Sequence, residues 1–296
     1  MSMVGQRMRD TIGLSAALAT PFDAEGGIDW PRLAAHAAGL LDGGMKVVTA
    51  FGTTGEGVSI ASSARASLYE RMSGHDIAPH KLVECVYGPS AVDAVAHVRR
   101  SLEAGCAGIL LTPPFYFKQP TEEGVYRWFS EVFEAAGAGC RDVILYNIPA
   151  LTGVPIGPGL VGRLRAAFPE IIAGVKDSGG DWDWTASLLA EHRDLAILVG
   201  HEGHLARAVQ AGASGAISGV ANFAPGLVAR LVAGEDDSRI DALLEDLLVL
   251  PVVPAIKAIL AARKDDASWR AVRAPLEAVA TPDDLGTCAR LAREFT

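Results

Sequence analysis

Short apolar runs alternate with longer amphipathic stretches along most of the chain. Eight of the runs have the length and composition of strands, near 12–19, 46–51, 82–87, 108–112, 142–147, 171–176, 195–200 and 214–218. The stretches between them place apolar residues at helical spacing, at 31–42, 62–73, 91–104, 121–136, 182–192 and 203–211. Glycine often follows the last residue of a helix, and here it stands where five of these patterns stop, at Gly43, Gly74, Gly105, Gly137 and Gly212.

This alternation predicts parallel strand–helix–strand units, and the continuous apolar strands predict a sheet covered on both faces. Eight units favour a closed (β/α)8 TIM barrel over an open doubly wound sheet. A charged break at 234–238 is followed by helical pattern without a strand signal. We therefore predict an N-terminal arm (1–10), a barrel (11–234) and a C-terminal helical extension (235–296). No glycine-rich dinucleotide motif follows the first strand, so nothing indicates a Rossmann fold.

Composition narrows the possible partners. The 296 residues are half apolar and carry 26 Lys+Arg against 35 Asp+Glu, a net charge of −9, which argues against binding to nucleic acid. Four distant cysteines predict free thiols in a reducing cytoplasm. The first ten residues lack a signal-peptide pattern, and charges and prolines interrupt the most apolar later stretch, 243–262. We expect a cytoplasmic protein that does not bind a membrane. The histidines lack metal-site spacing, so no metal is predicted and most are expected on the surface or in loops.

Active sites of such barrels lie at the C-terminal ends of the strands. The second strand leads into Gly52-Thr53-Thr54-Gly55-Glu56, where a tight turn can present N–H groups and hydroxyls to a small carboxylate. The fifth strand ends at Tyr146, whose hydroxyl can donate and accept a proton. The sixth ends at Lys176, whose amine can attack a ketone to form a Schiff base. Each signal alone also fits an ordinary turn, a core tyrosine or a solvated lysine.

Together and in this order, these motifs resemble the dihydrodipicolinate synthase / N-acetylneuraminate lyase superfamily of class I aldolases and lyases. Further matching stretches are Ala19-Thr20-Pro21-Phe22, 112–117, 215–222 and 254–257. The resemblance covers nearly the whole chain. It implies a TIM barrel, a lysine Schiff base with a 2-oxo acid such as pyruvate, no cofactor or metal, an aldehyde as the second small-molecule partner, and a homotetramer.

The resemblance also implies residue roles. Lys176 matches the Schiff-base lysine, Tyr146 the proton-relaying tyrosine, and Thr53 the hydroxyl that links it to a second tyrosine from a neighbouring subunit. That second tyrosine is best matched by Tyr116, with Phe117 as the alternative because this loop is one residue longer than in the synthases. Thr54 matches a residue that holds the substrate carboxylate. The remaining expected substrate-binding residues are Gly52, Gly55, Leu151, Ser178, Gly200, Glu202, Ile217 and Ser218.

Leu151 departs from the synthase pattern. The synthases have an arginine there, which binds the carboxylate of aspartate semialdehyde, and an aliphatic side chain cannot replace that bidentate contact. The neuraminate lyases hold their sugar with an acidic pair and a serine, of which only Glu202 has a match. We therefore expect a hydroxylated, sugar-acid-like partner. The alternatives are a true dihydrodipicolinate (4-hydroxy-tetrahydrodipicolinate) synthase, a sugar-acid dehydratase, a non-catalytic 2-oxo-acid-binding protein and a phosphate-binding isomerase barrel.

Overall fold

A computed structural model describes residues 3–295. Its eight parallel strands form one closed barrel in chain order, with the last strand paired to the first. The predicted (β/α)8 TIM barrel is confirmed. The strands are β1 Leu14–Ala17, β2 Val47–Ala50, β3 Leu82–Val86, β4 Gly108–Leu111, β5 Val143–Asn147, β6 Ile172–Asp177, β7 Ala196–Val199 and β8 Gly215–Ser218.

Helices connect the strands and continue beyond the last one. The helices are α1 Met3–Thr11, α2 Trp30–Asp42, α3 Ser62–Ala66, α4 Leu68–Ser73, α5 Ala91–Ala104, α6 Glu122–Ala136, α7 Pro149–Thr152, α8 Pro158–Ala167, α9 Trp182–Glu191, α10 Leu205–Gln210, α11 Pro225–Val232, α12 Arg239–Leu248, α13 Val252–Lys264 and α14 Pro282–Glu294. Short 3-10 segments lie at Gly57–Ser59, Pro79–Lys81, Glu202–His204, Val220–Asn222 and Ala267–Arg270. The single helix predicted at 62–73 is two helices, α3 and α4, that meet at Ser67.

Successive strand side chains point alternately into the barrel and out toward the helices. In β5, Ile144 and Tyr146 belong to the interior cluster, whereas Val143 and Leu145 pack under the surrounding helices. The interior cluster is completed mainly by small and aliphatic side chains: Ala17, Val47, Val83, Cys85, Leu110, Ala173, Ala196, Leu198 and Ile217. The barrel is therefore a packed core, with room for chemistry at its mouth.

The N-terminal segment expected as an arm forms α1, which packs on the base of the barrel. Val4, Met8 and Ile12 are buried and belong to the interior cluster. Because α1 covers the N-terminal end, access to the interior is left to the C-terminal mouth. The three helices after residue 235 lie where the helical extension was predicted, and α13 packs on α14. The domain boundaries themselves stay a prediction.

None of the helices described in residues 3–295 is long and apolar enough to cross a membrane. All four cysteines are free thiols, and three of them are buried: Cys85, Cys140 and Cys288.

Candidate active site

A chain of three polar groups links β6, β5 and the turn after β2. Lys176 and Tyr146 face each other in the register of the two strands. The Lys176 amine donates to the Tyr146 hydroxyl at 3.2 Å and lies 4.3 Å from the centre of its ring. The same hydroxyl lies 3.2 Å from Thr53 Oγ1. The structure thus joins three of the predicted catalytic residues in one hydrogen-bonded chain.

Lys176 is buried, with 5% of its surface exposed, and among the described residues no carboxylate forms an ion pair with it. The adjacent acid, Asp177, is committed elsewhere: its carboxylate accepts from the Asn147 amide at 2.8 Å and the Thr185 hydroxyl at 2.6 Å. In the interior below, burial raises the pKa of the Cys85 thiol to about 12, so the thiol stays uncharged at neutral pH. The amine's hydrogen-bond partner is thus a phenol hydroxyl, and the thiol nearby is uncharged.

Gly200, at the end of β7, provides space for the lysine side chain. A Cβ atom at this position would lie 3.2 Å from Lys176 Cε and would collide with the Ser178 hydroxyl. Two of the predicted substrate-binding residues, Gly200 and Ser178, therefore lie directly beside the candidate nucleophile.

The turn after β2 is strained. Phe51 and Glu56 have left-handed backbone angles, with φ of 59° and 55°, which non-glycine residues rarely adopt. Such residues cost about 1–3 kcal/mol each and persist only where surrounding contacts impose them. Gly55 is required by close packing, since a Cβ atom there would approach the Leu18 carbonyl oxygen to 2.7 Å. The turn that presents Thr53 and Thr54 is held in an unfavourable conformation by its neighbours.

A buried ion pair from the C-terminal region holds this turn. Lys257 of α13 donates to Glu56 Oε1 at 2.6 Å, and both side chains are 0% exposed. The backbone N–H of Arg273 donates to the other carboxylate oxygen at 2.7 Å. Burial lowers the pKa of Lys257, while the attraction of Glu56 opposes that change. Glu56 therefore fixes the turn, and its carboxylate is fully used in doing so.

The Thr54 hydroxyl lies beside Gly219, where an added Cβ atom would be 3.1 Å from it. Thr54 is buried, and a Cβ atom at Gly52 would meet only open space. The turn thus has the Thr54 hydroxyl packed against Gly219, and it leaves open space beside Gly52. That these groups bind a carboxylate stays a prediction.

Glu202 and Ser218 bind each other at the ends of β7 and β8. The Ser218 hydroxyl donates to Glu202 Oε1 at 2.5 Å, and both side chains are buried. The Ser218 oxygen also accepts from the Ala221 N–H at 3.1 Å. This pair fixes the loop after β8. Ile217 lies deeper, in the interior cluster with Tyr146.

A cavity of about 580 Å³ opens beside the turn. Of the predicted site residues, Thr53, Thr54 and Leu151 line it, and Leu151 is 61% exposed on α7. Most of the remaining wall is apolar, and its one charged side chain is the ion-paired Glu56. The other lining residues are Val58, Ser59, Tyr87, Phe115, Ile148, Thr152, Pro251, Val252, Val253, Pro254, Pro275 and Leu276.

The side chains of Tyr116 and Phe117 project into solvent. Their side chains are 74% and 79% exposed, and the two rings meet edge to face at 5.3 Å. Neither ring reaches Thr53 within one chain. Tyr87 lines the cavity instead, and sequence reasoning missed it, although Val83, Cys85 and Tyr87 have the alternate spacing of inward-facing strand residues.

The expectation that histidines lie at the surface or in loops is wrong for His36 and His97, which are buried within α2 and α5; His192 is buried too, but it follows the end of α9. His36 bonds the Asn222 side chain at 3.0 Å, and burial lowers its pKa to about 4, so it is neutral in the folded protein. Over residues 3–295, no cluster of three or more histidine, cysteine or acidic side chains is arranged to hold a metal ion.

A parallel barrel with a buried, tyrosine-bonded lysine at its mouth has the groups of a lysine-dependent aldolase or lyase. The sequence model of the dihydrodipicolinate synthetase family matches residues 10–283, and the chain belongs to this family.

Individual relatives agree with this assignment. A DapA-like lyase of Chloroflexus aurantiacus, itself uncharacterised, is 35% identical over 281 residues, 91% of this chain and 92% of its own. A 4-hydroxy-tetrahydrodipicolinate synthase of Porphyromonas gingivalis is 31% identical over 221 residues, 74% of this chain and 73% of its own. The crystal structure of dihydrodipicolinate synthase from Agrobacterium tumefaciens superposes with a TM-score of 0.93 at 45% identity, covering 96% of this chain and 99% of that one.

Proposed function

We propose that this protein is a class I lyase or aldolase in which Lys176 forms a Schiff base with pyruvate or a related 2-oxo acid. The observation that carries the proposal is the hydrogen-bonded chain from the buried Lys176 amine through Tyr146 to Thr53. A binding protein would need a cradle for the acid, but it would not need a buried amine aligned with a proton donor.

The bond changes follow from that arrangement. The Lys176 nitrogen, as a free amine, attacks the C2 carbonyl; Tyr146 gives one proton to the carbonyl oxygen and the attacking nitrogen gives the second. The oxygen then leaves as water and yields the protonated imine. The imine withdraws electrons from C3, so a C3 proton can pass to the Tyr146 oxygen. The resulting enamine carbon can then attack an aldehyde carbonyl, whose oxygen takes the proton from Tyr146. In the reverse direction the same imine accepts the electron pair of the breaking C–C bond. The imine is the electron sink, so this scheme uses no metal and no cofactor.

The carboxylate of the 2-oxo acid is assigned to the Thr54 hydroxyl and the turn N–H groups at Gly52 and Gly55. Support comes from the open space beside Gly52 and from the packing of Thr54 against Gly219. Gly200 and Ser178 would surround the carbon backbone beside Lys176. Glu202 would act through Ser218, to which it is bonded, and Ile217 would form the floor.

For the second substrate we propose a neutral, hydroxylated aldehyde or sugar-acid fragment. Leu151 supplies no charge, no lysine or arginine is among the residues that line the cavity, and Ser59 offers a hydroxyl. The synthase reaction is the second candidate, because relatives at 31% and 45% identity carry that name. Aspartate semialdehyde would then have to place its carboxylate in a cavity without a cation, which is costly.

The test is reduction with borohydride in the presence of pyruvate. We expect one reduced pyruvate adduct per chain, located on Lys176 by peptide mass spectrometry. Lys257 is the internal control, since it is also buried but forms an ion pair with Glu56. An adduct at Lys257, or none at all, would contradict the proposal.

A second measurement separates the candidate substrates. Pyruvate release is followed from 2-keto-3-deoxy sugar acids, sialic acid and 4-hydroxy-2-oxoglutarate, and condensation is followed with pyruvate plus aspartate semialdehyde. We expect higher kcat/KM for the neutral partners than for the semialdehyde. Efficient condensation with the semialdehyde would favour the synthase.

A homotetramer in the cytoplasm is proposed from the family resemblance. The exposed Tyr116 and Phe117 are consistent with a loop that contacts another subunit. Light scattering of the purified protein measures the assembly directly.

A further inference from the structure

The hydroxyl of Tyr87 is a buried donor with no hydrogen-bond partner in the described part of the chain. Tyr87 follows β3 and points inward, in step with Val83 and Cys85 of the interior cluster, against which it packs. It also forms part of the cavity wall beside Thr53. Buried polar groups nearly always have a hydrogen-bond partner, so a buried hydroxyl without one at the mouth of the barrel indicates a functional role.

The polar groups that surround this hydroxyl belong to the candidate site. Thr53 and Cys85 lie close enough to act on it as hydrogen-bonding groups, and Cys85 and Tyr146 also act on it through charge. Burial raises the pKa of Tyr87 well above its usual value, so the phenol keeps its proton. A protonated phenol is a hydrogen-bond donor, and Thr53 is the neighbour whose oxygen already takes part in the chain to Tyr146.

Tyr116, the residue matched to the second relay tyrosine, lies elsewhere. It is 74% exposed and contacts Phe117. Within one chain, the second tyrosine beside Thr53, in addition to Tyr146, is Tyr87. The two residues therefore offer different routes to the same threonine: Tyr87 from the same chain, and Tyr116 only from another chain.

Building on the proposed function, we infer that Tyr87 is a positioning residue that completes the proton relay from within the same chain, through Thr53 to Tyr146. When substrate enters, a small rotation of the Thr53 side chain closes the Tyr87–Thr53 hydrogen bond. Hydrogen bonds of this kind are often long or open before substrate binds.

The proton movements balance. As Tyr146 gives its hydrogen to the substrate oxygen, the Thr53 hydrogen passes to Tyr146 and the Tyr87 hydrogen passes to Thr53. Three O–H bonds break and three form. When the C3 proton of the substrate passes to Tyr146, the three hydrogens move back along the same chain, so Tyr87 regains its hydrogen without an external acid. The phenolate exists only in passing, as its raised pKa requires.

The experiment compares Tyr87→Phe, Tyr116→Phe and Tyr69→Phe in the full chain. Tyr69 on α4 is the matched control, because its buried hydroxyl also lacks a hydrogen-bond partner within residues 3–295 but lies outside the mouth. Two rates are measured with pyruvate alone: borohydride-trapped adduct formation at Lys176, and exchange of the methyl hydrogens in D₂O. The thermal unfolding midpoint is recorded for each variant.

For Tyr87→Phe we expect both rates to fall at least about tenfold, below the effect of losing Tyr146 itself. The loss should appear in kcat, with KM for pyruvate nearly unchanged and a smaller solvent isotope effect. The unfolding midpoint should stay or rise, since an unpaired hydroxyl is removed. Tyr69→Phe should show the same stability response with wild-type rates.

The outcomes separate the two proposals. Wild-type protein that forms no adduct would overturn the proposed function and the role of Tyr87 with it. An active enzyme in which Tyr87→Phe exchanges pyruvate at the wild-type rate would overturn the role of Tyr87 alone. Parallel losses of rate and stability in Tyr87→Phe would likewise reduce Tyr87 to a packing residue.

Discussion

Two buried lysines lie over aromatic rings at the mouth of this barrel, and their partners differ. The Lys176 amine is 4.3 Å from the Tyr146 ring centre and bonds that tyrosine's hydroxyl. The Lys257 amine is 4.2 Å from the Phe22 ring centre and bonds the Glu56 carboxylate at 2.6 Å. One lysine faces a neutral proton donor, while the other faces a full negative charge.

The difference in partners corresponds to two roles: a proposed catalytic role for Lys176 and a structural role for Lys257. A carboxylate stabilises the ammonium form and occupies its protons, so Lys257 is held as a charged clamp on the strained turn. A phenol can give a proton to a substrate oxygen, which is the partner that the proposed Schiff-base chemistry needs beside Lys176. Both lysines are buried, so burial alone does not single out Lys176 as the candidate nucleophile; the difference lies in their partners.

The largest effect is expected for Lys176→Met. Removing the amine should abolish pyruvate methyl exchange and adduct formation, since the imine cannot form. The free energy of unfolding should be unchanged or higher, because an apolar side chain replaces a buried polar one that has no counter-ion. Exchange kinetics and urea unfolding measure the two quantities. Residual exchange near the wild-type rate would remove Lys176 from the mechanism.

Lys257→Met should show the opposite pattern. Breaking a buried ion pair leaves Glu56 uncompensated, and the expected loss is about 3–5 kcal/mol of unfolding free energy. Adding Glu56→Gln should recover part of this loss, because the orphaned charge is then gone. Urea unfolding of the two variants tests the clamp, and a single variant as stable as the wild type would contradict it.

Tyr146→Phe tests the neutral partner of Lys176. The rate should fall at least about a hundredfold, the low end for losing a general acid or base. The adduct should still form on Lys176, more slowly. Pyruvate exchange and time-resolved borohydride trapping measure both effects. A rate within a few-fold of the wild type would show that another group carries the proton.

Leu151→Arg adds a cation to the cavity wall and should have the smallest effect. Leu151 is 61% exposed, so water would screen the new charge, and a gain of about 1 kcal/mol is the expected limit. That corresponds to about a fivefold rise in kcat/KM for aspartate semialdehyde relative to glyceraldehyde. Leu151→Gln, which adds a polar head without charge, is the control; an equal rise with it would exclude the charge as the cause.

The repetitive part of the fold was predictable from the sequence because each strand repeats the same apolar pattern. All eight strands lie within or one residue beyond the predicted runs. Helix α1 was missed because its nine residues are mostly polar. Its apolar residues Val4 and Met8 stabilise the helix only by packing on the base of the barrel. A short helix owes its stability to tertiary packing, which a local pattern does not contain.

The contacts of the candidate site also fall into two groups: those that follow from strand register and those that no local sequence pattern predicts. Lys176 and Tyr146 stand at strand ends, so strand register alone brings them together. The Glu56–Lys257 contact joins residues 201 positions apart, and no local pattern encodes it. The Tyr116 loop lies outside the strands, so neither register nor periodicity determines where its ring points.

The clamp on the strained turn also sets an order of events during synthesis. Every strand is complete once Ser218 has been made, yet Glu56 meets Lys257 and the Arg273 N–H only after those residues leave the ribosome. Domains fold as their residues emerge, and contacts between distant positions close last. A nascent chain that has made all eight strands therefore still lacks both contacts that lock the Thr53–Thr54 turn, and it gains them only in the last stretch of translation.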